Sequence, residues 1–241
     1  MERLPYLCYK GISSLDLSLY IKAKGTYNTA ERDIEFVSVP GRNGDLIQDN
    51  GRYKNVSVPY ELVLLKKDAR SFSDLTDAVK NWLAVGSGYN ELWDSYNPRY
   101  FRYAAVESSV DVVEELTNYG ELSLTFNCKP LRYSFAGQQA IEIMHSNTQL
   151  YNPEKLAAAP YIKIYGNGNI SLSVNAVTLT FSGVSGYIEI DSELMNVYKG
   201  LTLLNNITTG DTFPTLAPGI NNITITGGAT RAEIVPRWCT I

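Results

Sequence analysis

The 241-residue chain has a single histidine, three cysteines and no C-x-x-C pair. A zinc knuckle and a disulfide scaffold are excluded as organising principles, because both need paired ligands or an even cysteine framework. Cys8, Cys128 and Cys239 are expected to be buried free thiols that pack as small hydrophobes. Basic residues are also scarce, with 21 Lys and Arg against 25 Asp and Glu and a net charge of −4. A grip on nucleic acid needs clustered Lys and Arg to neutralise phosphates, so no specific nucleic-acid binding is expected. No apolar run reaches the roughly 18 residues of a membrane-spanning helix, and membrane insertion is not expected. The N-terminus, M-E-R-L-P-Y-L-C-Y-K, lacks the extended apolar stretch of a signal peptide. The expectation is a soluble chain made in a cytoplasm.

Tyrosine is abundant instead, with 17 copies, and suits half-buried positions on sheets and interfaces. Charge density drops near residue 135: residues 1–135 carry 34 charged side chains, and residues 136–241 carry 12. The second part is rich in Thr, Ser, Asn and Gly. The stretch S-F-A-G-Q-Q (134–139) therefore reads as a junction between domains 1–135 and 136–241. In the first, residues 34–39, 60–65 and 121–128 read as strands from β-branched content and period-two alternation, and 99–106 with 110–116 read as a further pair. One helix is expected after Ser71 or Ser73, with Asp74 and Asp77 in its first turn and Gly86 as its stop. Leu75, Val79, Trp82 and Leu83 would form its buried face. In the second domain, six short strands (161–165, 170–174, 177–181, 187–190, 220–226 and 232–235) alternate with turn-like G-N-G-N, S-G-V-S-G, L-A-P-G and T-G-G. That spacing predicts an antiparallel β-sandwich. The fold class is mainly β.

The stretch V-P-G-R-N-G-D-L (39–46) is the one candidate for a phosphate-gripping loop. It lacks the Lys-Ser or Lys-Thr of a Walker loop, and no helix follows as a dinucleotide fingerprint requires. Asn43-Gly44 and Asn50-Gly51 are instead hairpin signals, because both pairs tolerate positive φ. Two turns close together make a projecting β-arm. D-N-G at 49–51 lacks the acidic spacing of a calcium loop. His145 has no nucleophile motif around it, although triads assemble in space. Glu114-Glu115 and Asp191 with Glu193 are the carboxylate pairs available for glycosidase work. Adjacent acids on a strand point to opposite faces, and the second pair lies in a turn-like I-D-S-E-L. Asn206-Ile207-Thr208 matches a glycosylation tripeptide and carries no meaning without secretion. No catalytic constellation, metal site or cofactor site emerges, and the chain is not expected to be an enzyme.

The identification comes from longer blocks. V-S-V-P-G-R-N-G-D-L-I-Q-D-N-G-R-Y-K (37–54), Y-N-P-E-K-L-A-A-A-P-Y-I-K-I-Y-G-N-G-N-I (151–170) and Y-I-E-I-D-S-E-L (187–194) are followed by F-P-T-L-A-P-G-I-N-N-I-T-I-T-G (213–227) and I-V-P-R-W (234–238). Together, in order and spacing, they resemble the distal tail proteins (Dit) of long-tailed siphoviruses infecting Gram-positive bacteria. The resemblance implies a homo-hexameric ring at the tail tip, located in the virion and assembled in the host cytoplasm. The N-terminal β domain with its helix would form the ring around a DNA channel, and a galectin-like sandwich would project outward. The implied partners are the tail tube protein, the tail-associated hub or lysin protein and, in some members, a receptor-binding protein. Pro40, Gly41, Arg42, Asn43, Gly44, Asp45, Asp49 and Arg52 would form the assembly loop. Asn152, Pro153, Pro160, Gly166, Phe213, Pro214, Pro218, Gly219, Asn221 and Trp238 would be the structural motif of the C-terminal domain. Six copies would carry about −24, which suits a channel that passes DNA without holding it. The alternative is an adhesin for host cell-wall saccharides, with Tyr187, Tyr198 or Trp238 as an aromatic platform.

Overall fold

The computed structural model describes residues 4–24, 28–66, 70–116, 118–144 and 147–241. Among them the chain is mainly β, with one α-helix and antiparallel sheets, as the composition and alternation predict. It divides into two compact units, Met1–Arg132 with Ile241 and Tyr133–Thr240.

The strands of the first unit are β1 (Leu7–Tyr9), β2 (Ile12–Ser13), β3 (Leu19–Ala23), β4 (Arg32–Val37), β5 (Leu46–Tyr53), β6 (Val56–Leu65), β7 (Asn90–Asp94), β8 (Tyr100–Val106), β9 (Val113–Leu116) and β10 (Tyr119–Cys128). The main sheet runs β2-β1-β7-β8-β10-β6-β3. β6 and β10 pair along their whole length, from Val56 opposite Cys128 to Leu65 opposite Tyr119. Both alternate buried with less buried residues, the mark of a sheet with one face in the core. β8 and β9 are not partners, contrary to the pairing expected for 99–106 and 110–116. Each pairs with β10 at a different level, β8 at Phe126–Cys128 and β9 at Tyr119–Glu121. A ten-residue strand has room for both along one edge.

Helix α1 (Phe72–Ala84) is set by its ends. The Ser71 hydroxyl accepts the Asp74 N–H at 3.0 Å, and the Asp74 carboxylate accepts the Ser71 N–H at 3.2 Å, a reciprocal capping box. Asp77 falls beyond the first turn, where Asp74 is the only acid. Gly86, at φ +89°, follows the C-cap residue Val85 in the left-handed conformation that ends a helix. Leu75, Val79, Trp82 and Leu83 are buried, and the Trp82 indole N–H donates to the Tyr9 carbonyl at 3.0 Å. The helix is thereby tied to β1.

β11 (Arg132–Ser134) spans the division between the units. The second unit holds β12 (Ile141–Ile143), β13 (Thr148–Asn152), β14 (Tyr161–Val174), β15 (Val177–Asp191), β16 (Asn196–Lys199), β17 (Thr202–Leu203), β18 (Thr208–Thr209), β19 (Gly219–Val235) and β20 (Cys239–Thr240). Its sheet is ordered β12-β19-β14-β15-β16-β17, with β13 beside β19 and β18 beside β15. The six short strands expected here are three long ones, because 161–165 joins 170–174, 177–181 joins 187–190, and 220–226 joins 232–235. G-N-G-N, S-G-V-S-G and T-G-G are not turns but bulged mid-strand positions, and L-A-P-G alone precedes a strand start. The glycines there allow backbone to meet backbone. A Cβ on Gly228 would lie 1.7 Å from the Asn167 carbonyl oxygen, and one on Gly166 would lie 2.2 Å from that of Gly228. The ladder register slips at the same level, between Gly168 and Ile170. Along β15 the buried set moves from Leu179 and Phe181 to Val184, Ile188 and Ile190, from odd to even positions. Such bulges bend a strand and re-aim its side chains, so one long strand supplies two buried rows.

All three cysteines are free thiols. Cys128 and Cys239 are buried, and burial pushes each thiol up to about 11. Cys8 is only half-buried, contrary to expectation, because it lies on β1 between the short β2 and β7.

Candidate functional site

β4 and β5 form a two-stranded sheet separate from the main one. Toward the tip its large apolar side chains are uncovered: Phe36 is 62 % exposed and its cross-strand partner Ile47 is 64 % exposed. Val37 and Leu46, also paired, are exposed as well. The tip, Pro40 to Asp45, is solvent-exposed throughout, and Gly41 and Gly44 take positive φ of +80° and +82°. The Arg42 N–H donates to the Val39 carbonyl at 3.2 Å and closes the turn. Arg42 and Asp45 make no ion pair among the described residues.

Asn50-Gly51 is not the second turn that the sequence suggested. It is a bulge inside β5, where pairing jumps from Ile34–Asp49 to Arg32–Tyr53. The Asp49 carboxylate accepts the Gly51 N–H at 2.8 Å and binds the Arg32 guanidinium at 2.7 to 3.1 Å. These bonds hold the chain extended through the bulge and keep the Asp49 carboxyl below its ordinary pKa. Arg52 bonds the Asp33 carboxylate at 2.7 Å. Asp49 and Arg52 therefore clamp the arm internally, while Arg42 and Asp45 sit at its free end.

In the second unit, Asn152 and Asn221 are almost fully buried. The Asn152 amide donates to the carbonyls of Leu156 and Leu216 at 2.9 and 3.0 Å, and its oxygen accepts the Glu154 N–H. The Asn221 amide donates to the carbonyls of Ala217, Gly219 and Leu150, and its oxygen accepts from the Ala217 N–H and the Asn175 amide. These two side chains stand in for the backbone partners that the loops before Pro160 and before β19 lack. Pro160 and Pro214 are buried, Phe213 and Gly219 are half-buried, and Pro153 and Pro218 are exposed. Asn221→Ala leaves several buried polar groups unpaired, so the full chain is expected to lose about 2–3 kcal/mol of unfolding free energy, measurable by urea titration. An unchanged titration would show that the network contributes nothing net.

Trp238 is 5 % exposed, and its carbonyl accepts the Ser134 N–H at 2.9 Å. A Cβ on Gly137 would lie 2.4 Å from the Trp238 nitrogen, so only glycine fits beneath it. Buried in this way, Trp238 offers no sugar platform. The Tyr187 ring carries the Lys163 and Lys199 ammonium groups at 4.2 and 5.1 Å from its centroid. Tyr198 is half-buried.

Asp191, 4 % exposed, receives both Arg237 guanidinium nitrogens at 2.8 and 2.9 Å and the N–H groups of Glu193 and Leu194. Burial works to raise its carboxyl, but Arg237 and the amides outweigh it and hold the pKa below the ordinary value. Glu193 shares the same guanidinium at 3.6 Å. Asp191 is thus held by Arg237 within the fold, with Glu193 at the edge of the same guanidinium. His145 and the side chains of Glu114 and Glu115 lie outside the described residues. Among the described residues no group of three or more His, Cys, Asp or Glu side chains is placed to hold a metal.

This antiparallel two-unit β fold is shared with components of phage tails. The sequence model of the family "Phage tail protein RIFT-related domain" matches residues 14–128, so this part of the chain is a phage tail protein domain. Its fold is that of a distal tail protein, as the sequence blocks indicated. It matches SPP1 Dit (gp 19.1), described as a paradigm of the hub adsorption apparatus in Gram-positive infecting phages. That match has a TM-score of 0.71 and 13 % identity and covers 96 % of this chain and 98 % of that one. It also matches chains of the phage P2 baseplate in its activated conformation, with Ca at TM-score 0.51 and with Sr at 0.50, each 10 % identical over 97 % of both chains. A comparison with curated protein sequences gives no significant match.

Proposed function

We propose that this chain is a structural subunit of the phage tail tip, six copies of which close a ring between the tail tube and the hub. The observation that carries the reading is the end-to-end likeness to a hub component, 96 % of one chain over 98 % of the other. The arm supplies the means of assembly. A lone two-stranded sheet is marginal in water, and Phe36 and Ile47, paired across β4 and β5, remain exposed together. Contact with a neighbouring subunit would cover them, and Arg42 and Asp45 at the tip would set register by complementary charge. The charged first part, 1–135, makes the ring contacts, and 136–241 meets peripheral partners. The ring sits in the virion, is assembled in the host cytoplasm and leaves a channel for DNA.

The double variant Phe36→Asp/Ile47→Asp changes only exposed positions and is expected to leave the circular dichroism spectrum intact. Mixed with its neighbouring tail proteins, it should fail to form the rings that electron microscopy shows for the parent chain. Replacing Asn43-Gly44 by Val-Val should act alike, since β-branched residues resist the positive φ of Gly44. Normal rings from both variants would remove the arm from the interface.

A further inference from the structure

The first unit contains a cavity of about 170 Å³. Its apolar wall includes Val58, Leu92 and Cys128, and its polar wall includes Lys24, Asp94 and Arg102. Asp94 is the one carboxylate side chain in the lining, and it is already satisfied. It binds Lys24 Nζ and the Tyr60 hydroxyl, each at 2.6 Å, and accepts the N–H groups of Tyr96 and Asn97. Arg132, also in the lining, donates to the Ile241 main-chain oxygen at 3.0 Å. Arg102 donates to the Asn28 carbonyl at 3.3 Å and hydrogen-bonds the Cys128 thiol, and it pairs with no carboxylate among the described residues. Its half-buried guanidinium is desolvated, which lowers its pKa. The adjacent Cys128 thiol, pushed up to about 11, supplies no countercharge at neutral pH.

We propose that this cavity binds a carboxylate group, with the Arg102 guanidinium as its fork and the Val58–Leu92–Cys128 wall around the attached aliphatic stem. The planar fork matches two carboxylate oxygens. The nearby Asp94 disfavours a dianion such as phosphate. Small-molecule sites span about 300–1,000 Å³, so a cavity this size takes a group no larger than one side chain. The carboxylate is either a free short-chain acid or the acidic side chain of another protein.

The test uses the full chain, titrated calorimetrically with propionate and separately with N-acetylglutamate amide against sodium chloride at matched ionic strength. Saturable binding of at least one probe is expected, weakened about tenfold or more by Arg102→Met, which is about 1.4 kcal/mol. Without probe, Arg102→Met should be at least as stable as the parent, because an unpaired desolvated cation is removed. Tighter binding of the glutamate probe assigns the site to a protein side chain, and tighter binding of propionate assigns it to a free acid. No saturation by either probe overturns the proposal, as does equal binding by the variant. If Arg102→Met does not fold, Arg102→Lys decides: it keeps the charge and loses the fork, so unchanged binding overturns the carboxylate assignment.

Discussion

Trp238→Ala is expected to lower the unfolding free energy of the full chain by about 3–5 kcal/mol, the cost of truncating a buried Trp. The ring is 5 % exposed and seated over Gly137, whose missing Cβ leaves the space that Trp238 occupies. In the same unit, β14, β15 and β19 carry fully buried Ile162, Ile188 and Ile234. Rigid strand residues collapse poorly into a void, so the cavity term adds to the lost transfer energy. Urea unfolding followed by far-ultraviolet circular dichroism reads the loss without relying on Trp238 fluorescence. A stable variant that no longer assembles would instead make Trp238 a contact residue.

Arg237→Gln is expected to cost about 3 kcal/mol near neutral pH, because it strips the cation from a carboxylate that stays buried. In the parent, the Asp191 pKa lies below its unfolded value of about 3.9. The pair therefore stabilises the fold above that value, and the contribution is lost as pH falls through the folded pKa. In the variant, burial is no longer opposed by the guanidinium and pushes the Asp191 carboxyl upward, so acidification relieves the strain. The stability gap between parent and variant should therefore narrow as pH falls through the carboxylate range. Urea titrations of both proteins at several pH values measure it. A gap independent of pH would assign the Arg237 contribution to packing alone.

Local chemistry made parts of the fold legible. Ser71 with Asp74 at one end and Gly86 at the other each act on residues a few positions away, so the ends of the helix could be read locally. The alternation in 121–128 needed only a sheet with one buried face. The arm was legible as a projection, although the turn closes at Val39–Arg42 and Asn43-Gly44 forms a bend beside it. Its function was not, because Phe36 and Ile47 look like core strand residues until the strand is seen to have no sheet behind it.

The sequence by itself determined the β class, the helix after Ser71 and, through blocks spread from residue 37 to residue 238, the kinship with phage tail proteins. Only the tertiary structure decided what the glycines of residues 166–186 and 227–228 do. A turn and a close backbone approach both require a missing Cβ, and nothing local distinguishes them. The same holds for Arg237 with Asp191, 46 residues apart, and for Asn175 with Asn221, also 46 apart. Such partners meet only when the long strands have bent, because burial and pairing are properties of neighbours in space rather than in sequence.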